Sequence, residues 1–502
     1  MKSNKLSLPA TVHATLVVGI FLTFLAGVAL LTVEPDEVWN LMSTMKAFGL
    51  PVPPTTAVDA PVTTTGGLHA LLHGAVASVR SGDVLLHRLV SVVTTLGLLA
   101  LVFVTLRRHV GQVALAAAGT ALFVTAPGFL LQASLATSEI IATTAFLLAA
   151  LFWTGPGHRS VLGAAAAGVL FGLACATRMT CLSMLPALPL WALFAGRGWR
   201  ERLVHPLLAV AIAGGVFAAC VAGYVVAFSD APWRDALNAA GASSGVTRAY
   251  EGVLLRLSYV VVGEGIVPML AILVLVGWAC SRLVAGREVD LTLRLCSFLL
   301  LAGVAGWLAW LVKAPIPHIR YLWPAIPLLW LAGILLATSA FAGVTRQRVL
   351  WIAHAVVVVS CVAQGLLNVR MLAVGDALML VYESARGMGV SRPGPYGAQR
   401  ADQQAMARYL AELPKSAKVT AFNAASAYPL TYLDGRVVGR WQPAQRTSQD
   451  DYHLMQPSDV IWAHDWDRIG WLNTHMTRVT TFGGYALYRG RGTETPEAPR
   501  VD

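Results

Sequence analysis

The chain has 502 residues, of which 56% are hydrophobic and only 13% are charged. Soluble globular domains are about one-quarter charged, so this composition excludes an ordinary soluble fold. The formal net charge is +11, but the arginines sit in short clusters between apolar runs, as is typical of cytoplasmic loops. Because no continuous basic face lies outside those runs, nucleic-acid binding is not expected.

Apolar runs that approach the roughly 20 residues needed to span a bilayer predict an all-α, polytopic membrane protein with about eleven transmembrane helices. The runs cover residues 11–33, 84–106, 111–131, 138–154, 161–177, 180–195, 203–227, 254–280, 295–312, 320–341 and 349–367. Several runs are shorter than a full span, so pairs such as 161–177 and 180–195 leave the number of helices open.

The basic residues provide an independent indication of orientation. If the N-terminus, with Lys2 and Lys5, is cytoplasmic, alternate loops must be cytoplasmic as well. Those loops contain Arg107 and Arg108; His158 and Arg159; Arg197, Arg200 and Arg202; Arg282 and Arg287; Arg346 and Arg348. Every loop obeys the positive-inside rule. The Ala-, Val- and Arg-rich composition is compatible with a bacterium of high genomic GC content, so the expected location is the inner membrane.

The first predicted outward loop, residues 34–83, opens with Glu34-Pro35-Asp36-Glu37. The apolar spacing in Asp36–Gly49 predicts a short amphipathic helix along the membrane surface. Two adjacent carboxylates at the mouth of a helix bundle could supply a general base or bind a divalent cation. The structural alternative is that Asp36 caps this helix while Glu37 complements its dipole.

Further ionisable residues gather on the same predicted side of the membrane, at the ends of apolar runs. Such residues usually line a cavity or pair with one another, although snorkelling would account for any single arginine. Acids and arginines together could hold a metal such as Mg or Mn, or activate a hydroxyl while guanidiniums bind phosphate. The predicted substrate- and phosphate-binding set is Arg88, Glu139, Arg178, His318, Arg320 and Tyr321. The candidate metal ligands are Asp36, Glu139 and His318.

After about Arg370 the composition changes, and residues 371–502 predict a small extracytoplasmic α/β domain. The pattern predicts a helix over Ala401–Leu413 and short strands over residues 418–422, 459–463 and 485–489. The last residues are predicted to be disordered. This tail contains no cysteine, so it has no disulfide framework.

The layout of residues 1–370 resembles the GT-C glycosyltransferases, in particular the branch of protein O-mannosyltransferases and bacterial lipid A aminoarabinose transferases. The similar elements, in chain order, are Pro35–Trp39 with its Asp-Glu pair, Arg88–Ser91, Ser138-Glu139, Ala176–Arg178 and His318–Leu328. One element departs from the family pattern. Members often carry a His-x-Pro-Pro-Leu-like sequence before the second span, where this chain reads Thr64–Leu68.

The resemblance implies sugar transfer from a polyprenyl-phosphate-linked donor to a glycolipid, polysaccharide or protein acceptor, with inversion. Asp36, with Glu37, would deprotonate the acceptor hydroxyl, and Arg178 and Arg320 would stabilise the leaving phosphate. Glu139 and His318 would orient the acceptor or contribute to a divalent-metal site. Two other classes of function stay open. One is a transporter or flippase for polyprenyl phosphate or polysaccharide, and the other is a non-catalytic assembly subunit.

Overall fold

The computed structural model describes residues 8–31, 37–38, 41–42, 44–45, 49, 67–80, 83–126, 128–155, 157–228, 291–313, 323–342, 347–374, 396–421, 430, 438–440, 451–455, 466–483 and 485–491. The chain divides into two compact units. The helical unit contains residues 1–28, 62–75 and 85–369, and the second unit contains residues 29–61, 76–84 and 370–502.

Up to residue 374 the described elements are helical. Their bounds are α1 Leu8–Leu30, α2 Gly67–Val79, α3 Val84–Val110, α4 Val113–Phe123, α5 Phe129–Ser134, α6 Glu139–Thr154, α7 Val161–Thr177, α8 Ala187–Ala195, α9 His205–Phe228, α10 Leu291–Lys313, α11 Ala325–Ala342 and α12 Gln347–Val374. Short 3-10 segments cover Gly157–Arg159 and Met179–Met184, and a π-helical turn covers Arg200–Val204.

Within the described residues, five helices are long and apolar enough to cross a membrane. They are Pro9–Leu30, Val84–Val110, Arg200–Gly223, Leu291–Ala309 and Gln347–Arg370. The chain is therefore an integral membrane protein, as its composition predicts. Shorter apolar helices occupy most of the other predicted runs, whereas the run 254–280 lies outside the described residues.

Two predicted runs are divided into shorter helices for local reasons. In the run 111–131, α4 ends at Phe123, and Gly128 takes a left-handed conformation with φ of +72° before α5 begins. The run 180–195 begins as a 3-10 segment and becomes α-helical only after Pro186. Proline has no amide hydrogen to continue a preceding helix, which explains a break at that position.

Glycines in α7 allow it to pack closely against α9. An added Cβ at Gly168 would lie 2.7 Å from the Ala209 carbonyl oxygen, and one at Gly172 would lie 2.6 Å from Val216 Cβ. Larger residues at these positions would push the two helices apart. The Gly- and Ala-rich stretch of α7 is therefore a helix-packing face, in keeping with the use of small residues between membrane helices.

Within the predicted amphipathic segment 36–49, residues 37–38, 41–42 and 44–45 are helical. Val38, Leu41, Met42 and Met45, which are the apolar positions of the pattern, are all buried. Phe48 and Asp36 lie outside the described residues, so the proposed N-cap is not described.

The second unit contains a five-stranded mixed sheet with strand order β2-β1-β3-β5-β4. Its elements are α13 Tyr396–Glu412, β1 Lys418–Ala421, β2 Val438–Arg440, β3 Asp451–Met455, α14 Trp466–His475, β4 Met476–Phe482 and β5 Tyr485–Gly490. β1 pairs in parallel with β2 and β3, and β5 pairs antiparallel with β3 and β4. The predicted helix and two of the predicted strands overlap α13, β1 and β5, while the predicted strand 459–463 lies outside the described residues.

Successive side chains of a strand point to opposite faces, so the sheet has two cores. On one face Met406 and Leu410 of α13 pack with Val419 and Leu487. On the other face Leu472 of α14 packs with β-strand residues that include Tyr488. Leu487 and Tyr488 are neighbours in β5, and their alternation places one helix on each side of the sheet.

Candidate functional site

A buried ion pair joins the ends of α6 and α7. Arg178 Nη1 lies 3.0 Å from Glu139 Oε1, and the two side chains are only 9% and 3% exposed. The same Nη1 donates to Ser138 Oγ at 3.2 Å. Glu139 is the first residue of α6, where the helix dipole favours a carboxylate. Arg178 follows the last residue of α7, and its amide donates to the Ala174 carbonyl.

A buried ion pair is costly to assemble, because both groups lose their hydration. Here Glu139 Oε2 is also buried and has no hydrogen-bond partner among the described residues. Natural helix bundles seldom keep such groups for stability alone. The pair therefore marks this corner of the bundle as a candidate site.

The start of α2 lies directly against this corner. The Leu68 amide donates to Thr177 Oγ1 at 3.1 Å, and Thr177 Oγ1 itself donates to the Leu173 carbonyl at 2.7 Å. Gly67 has a φ of +49°, and an added Cβ would lie 3.0 Å from the Thr177 amide nitrogen. Only glycine satisfies both the conformation and the spacing. The backbone at the start of α2 therefore requires glycine at position 67.

Three buried histidines extend from the corner. The rings of His69 and His73, one turn apart on α2, have centroids 4.2 Å apart. His73 Nδ1 lies 3.1 Å from Nδ1 of His87, which is near the start of α3. His69 Nε2 lies 3.5 Å from the Ala136 carbonyl oxygen, two residues before Ser138. The histidines and the ion pair thus form one polar group inside an apolar bundle.

The two histidines of α2 are held in the neutral form. Burial, with the neighbouring His87 and Arg178 as smaller causes, lowers the pKa of His69 to about 4, although the Ala136 carbonyl acts to raise it. Burial, and then the neighbouring His69 and His87, lowers the pKa of His73 well below its ordinary value. Both histidines lie outside the candidate membrane spans, because α2 is not one of the five helices that are long enough to cross a membrane.

Sequence reasoning did not identify His69 or His73 as site residues. The available signal was their spacing of four residues in an apolar stretch, which places both rings on one side of a helix. That stretch lies in the predicted outward loop 34–83, for which the sequence pattern predicts no apolar helix after residue 49.

Arg88 is fully buried and donates from Nη1 to the Val28 carbonyl oxygen at 3.0 Å. Val28 is among the last four residues of α1, whose carbonyls have no partner within the helix. A cation is favoured at this end of the helix dipole. This contact ties α3 to α1. Phosphate binding by Arg88 stays a prediction.

The remaining predicted site residues are only partly described. Glu37 is buried and helical. Asp36, His318, Arg320 and Tyr321 lie outside the described residues. Within the described residues, no group of three His, Cys, Asp or Glu side chains is placed to hold a metal ion.

One described contact links the predicted motif 318–328 to the corner. Thr180, two residues after Arg178, donates from Oγ1 to the Trp323 carbonyl oxygen at 3.2 Å. The Trp323 side chain is fully buried, and the centroid of its ring lies 5.6 Å from the centroid of the Phe129 ring. The described end of this motif is therefore adjacent to the segment that carries Arg178.

Comparison with known proteins yields structural matches only. No protein-family model matches the sequence, and no curated protein matches it. The crystal structure of ArnT from Cupriavidus metallidurans bound to undecaprenyl phosphate is 16% identical, with a TM-score of 0.57 over 95% of this chain and 97% of that chain. The apo structure of the same protein has a TM-score of 0.54 at 16% identity, over the same shares of the two chains.

An archaeal protein gives a similar result. The oligosaccharyltransferase AglB from Archaeoglobus fulgidus, in complex with an inhibitory peptide and a dolichol-phosphate, is 12% identical. Its TM-score is 0.50 over 96% of this chain and 75% of that chain. At these identities the similarity shows the fold. The chain has a membrane α-helical GT-C fold of the ArnT type, as its sequence layout predicts.

Proposed function

We propose that this protein is a glycosyltransferase that moves a sugar from a polyprenyl-phosphate-linked donor to an extracytoplasmic acceptor. The observation that carries the proposal is the buried Glu139–Arg178 pair at one corner of a GT-C bundle. Two proteins that share this fold hold undecaprenyl phosphate or dolichol-phosphate in their structures. Both ligands are long-chain lipid phosphates, which supports a polyprenyl phosphate as the leaving group here.

The arginine suits a lipid-linked phosphate. Such a donor enters from the bilayer, so its phosphate must be bound by groups already fixed inside the protein. A guanidinium has five N–H donors in a planar fork, which allows Arg178 to hold Glu139, Ser138 and a phosphate oxygen together. Because these donors are fixed before the reaction, they stabilise the charge that develops on the phosphate without reorganisation.

The proposed reaction is a single displacement with inversion. Asp36, with Glu37, takes the proton of the acceptor hydroxyl as its oxygen forms a bond to the anomeric carbon. The bond from that carbon to the phosphate oxygen breaks, and the electron pair leaves with polyprenyl phosphate. Arg178 and Arg320 stabilise the leaving phosphate.

The other predicted residues have supporting roles in this proposal. Glu139 and His318 orient the acceptor, and Arg88 and Tyr321 complete the substrate-binding group. Mg or Mn is a candidate cofactor, with Asp36, Glu139 and His318 as its candidate ligands. One Glu139 oxygen is already held by Arg178, so no step of the reaction is assigned to a metal.

The proposed topology follows from the arginine-bearing loops. The chain crosses the bacterial inner membrane about eleven times, with the N-terminus cytoplasmic. Residues 371–502 then form a periplasmic α/β domain after the membrane domain 1–370. The acceptor, whether glycolipid, polysaccharide or protein, meets the donor on that side.

Lipid mass spectrometry of whole membranes tests the proposal. Cells lacking the protein, and cells producing Asp36→Asn at normal abundance, are expected to accumulate one polyprenyl-phosphate sugar while one glycan loses that residue. Asp83→Asn provides a matched control, because Asp83 is an acid of the same predicted loop that pairs with the exposed Arg80. Normal glycans and donor lipids in the Asp36→Asn strain would contradict the base assignment. The same result in the deletion strain would favour a transporter or an assembly subunit.

A further inference from the structure

The Glu139–Arg178 pair has no net charge of its own, because the carboxylate and the guanidinium lie 3.0 Å apart. A phosphate bound beside the pair would bring a negative charge into an apolar interior. Buried anions require several well-placed hydrogen-bond donors. If the proposed function holds, the corner needs at least one donor besides Arg178.

His69 is placed to be that donor. The helix that carries it begins at the corner, with the Leu68 amide bonded to Thr177 Oγ1. Its Nε2 faces the Ala136 carbonyl, two residues from the Ser138 hydroxyl that binds Arg178. The side chain is fully buried, and its Nδ1 has no hydrogen-bond partner among the described residues.

A purely structural role does not explain this histidine well. Burying a polar ring nitrogen without a partner costs free energy, and an apolar side chain would fill the same space without that cost. The feature is also repeated, because His73 Nε2 is buried without a partner among the described residues. A buried polar atom without a protein partner is expected where a ligand supplies that partner.

The weak bond to Ala136 leaves the imidazole free to change its donor atom. At 3.5 Å, the contact between Nε2 and the carbonyl oxygen is at the limit of a hydrogen bond. A neutral imidazole carries its single proton on either ring nitrogen. A phosphate oxygen is a stronger acceptor than a distant carbonyl, so it favours the tautomer with the proton on Nδ1.

We infer that His69 is a second phosphate-binding residue of the donor site, donating from Nδ1 to a phosphate oxygen of the polyprenyl phosphate beside Arg178. The inference rests on the proposed function. His73 is a positioning residue, because its ring stacks on that of His69 and its Nδ1 is fixed by His87. The neutral form of His69, with its pKa at about 4, suits a group that must await the ligand without a buried charge.

Two probes that differ only at the headgroup isolate this contact. Undecaprenyl phosphate and undecaprenol have the same hydrocarbon chain, so the ratio of their affinities reports on the phosphate alone. The full-length protein in nanodiscs is titrated with each lipid, for wild type and for His69→Leu, His69→Asn and His13→Leu. His13 is a matched control, because it is a fully buried histidine that bonds His354 instead of facing the corner.

Wild type is expected to bind undecaprenyl phosphate much more tightly than undecaprenol. His69→Leu should reduce the affinity ratio about tenfold, as expected for one lost hydrogen bond to a charged group. His69→Asn should retain most of the ratio, since its amide nitrogen lies near the position of Nδ1. His13→Leu should leave the ratio unchanged.

The outcomes separate the two proposals. If wild type does not prefer the phosphate, the proposed function itself fails. If wild type does prefer it and a folded His69→Leu variant keeps the same ratio, the role of His69 is overturned. If that variant does not fold, solid-state NMR of wild type with ring-¹⁵N-labelled histidine decides. A dipolar contact between a histidine ¹⁵N and the ³¹P of bound undecaprenyl phosphate that disappears in His69→Asn is expected, and the absence of any such contact in wild type overturns the inference.

Discussion

Two parts of α7 are buried in different ways. Along its length Gly168 and Gly172 bring α7 against the backbone of α9, and this interface is close-packed. At its C-terminus, Thr177 and the following Arg178 belong to a polar group with Glu139 and His69, in which some polar atoms have no partner among the described residues. The first part stabilises the bundle, whereas the second retains groups whose burial is costly. One helix therefore supports the fold at one place and a candidate site at another.

Breaking the ion pair is expected to have the largest effect on stability. Arg178→Met leaves the Glu139 carboxylate buried without its cation, which should cost about 3–5 kcal/mol in the free energy of unfolding. Thermal or denaturant unfolding of the purified protein measures this loss. Arg80→Met is the matched control, because Arg80 is 74% exposed and pairs with Asp83 at 3.4 Å. An exposed pair contributes only about 0–1 kcal/mol, so an equal loss in both variants would contradict the distinction.

Overpacking the α7–α9 interface should have the next largest effect. Gly172→Leu places side-chain atoms against Val216 and the Ala213 carbonyl oxygen, and the helices must separate, at a cost of about 1–3 kcal/mol. Gly215→Leu on α9 is the control, since an added Cβ there meets no atom within 4 Å. The control should be neutral or slightly stabilising in the same unfolding assay. Equal destabilisation by both variants would show that the close approach of the helices is not the cause.

Acidification should destabilise the polar end specifically. His69 has a pKa of about 4 when folded against an ordinary value of 6.5, so the unfolded chain binds more protons between these two pH values. Stability is then unaffected above pH 6.5 and falls as the pH drops towards 4, by about 2 kcal/mol for His69 alone at pH 5. Unfolding of wild type and His69→Leu at pH 7.5 and pH 5 measures the difference. An identical pH dependence in the two proteins would show that His69 is not neutral by burial.

The seating of α2 should give the smallest effect. Thr177→Val keeps the shape of the side chain but removes the oxygen that accepts from the Leu68 amide, which should cost about 1 kcal/mol. Thr144→Val is a suitable control, because the Thr144 hydroxyl donates only to the Ile140 carbonyl of its own helix. Hydrogen exchange of the Leu68 amide should rise in Thr177→Val and remain unchanged in Thr144→Val. Unchanged exchange in both would mean that other contacts hold the start of α2.

The sequence groups Glu139 with Arg178 but leaves the histidines out, for physical reasons. Glu139 and Arg178 lie at the ends of consecutive long apolar segments, so counting helices places them on the same side of the membrane, and the structure brings them to 3.0 Å. His69 and His73 lie in a short apolar helix within a predicted loop, where no span was expected. The Leu68 amide reaches Thr177, 109 positions away, and the His69 ring reaches Ala136, 67 positions away. Local patterns do not encode such contacts.

The second unit shows the same limit. The sequence predicts a helix over 401–413, and α13 begins earlier, at Tyr396. Strand β3 was missed because its three central residues are all buried and show no alternation. Its place in the sheet depends on parallel pairing with β1, more than 30 residues away. The order β2-β1-β3-β5-β4 therefore follows from long-range contacts that the sequence pattern does not contain.

The central claim is that the Glu139–Arg178 pair serves chemistry rather than stability, and a double variant tests it most directly. Glu139→Met with Arg178→Met replaces the pair by apolar side chains, which should restore stability to near the wild-type value. Membrane lipids of cells producing this variant are then analysed by mass spectrometry. The account predicts a folded, abundant protein that leaves the polyprenyl-phosphate sugar unconverted, as in the deletion strain. Normal conversion of that donor by the double variant would contradict the account.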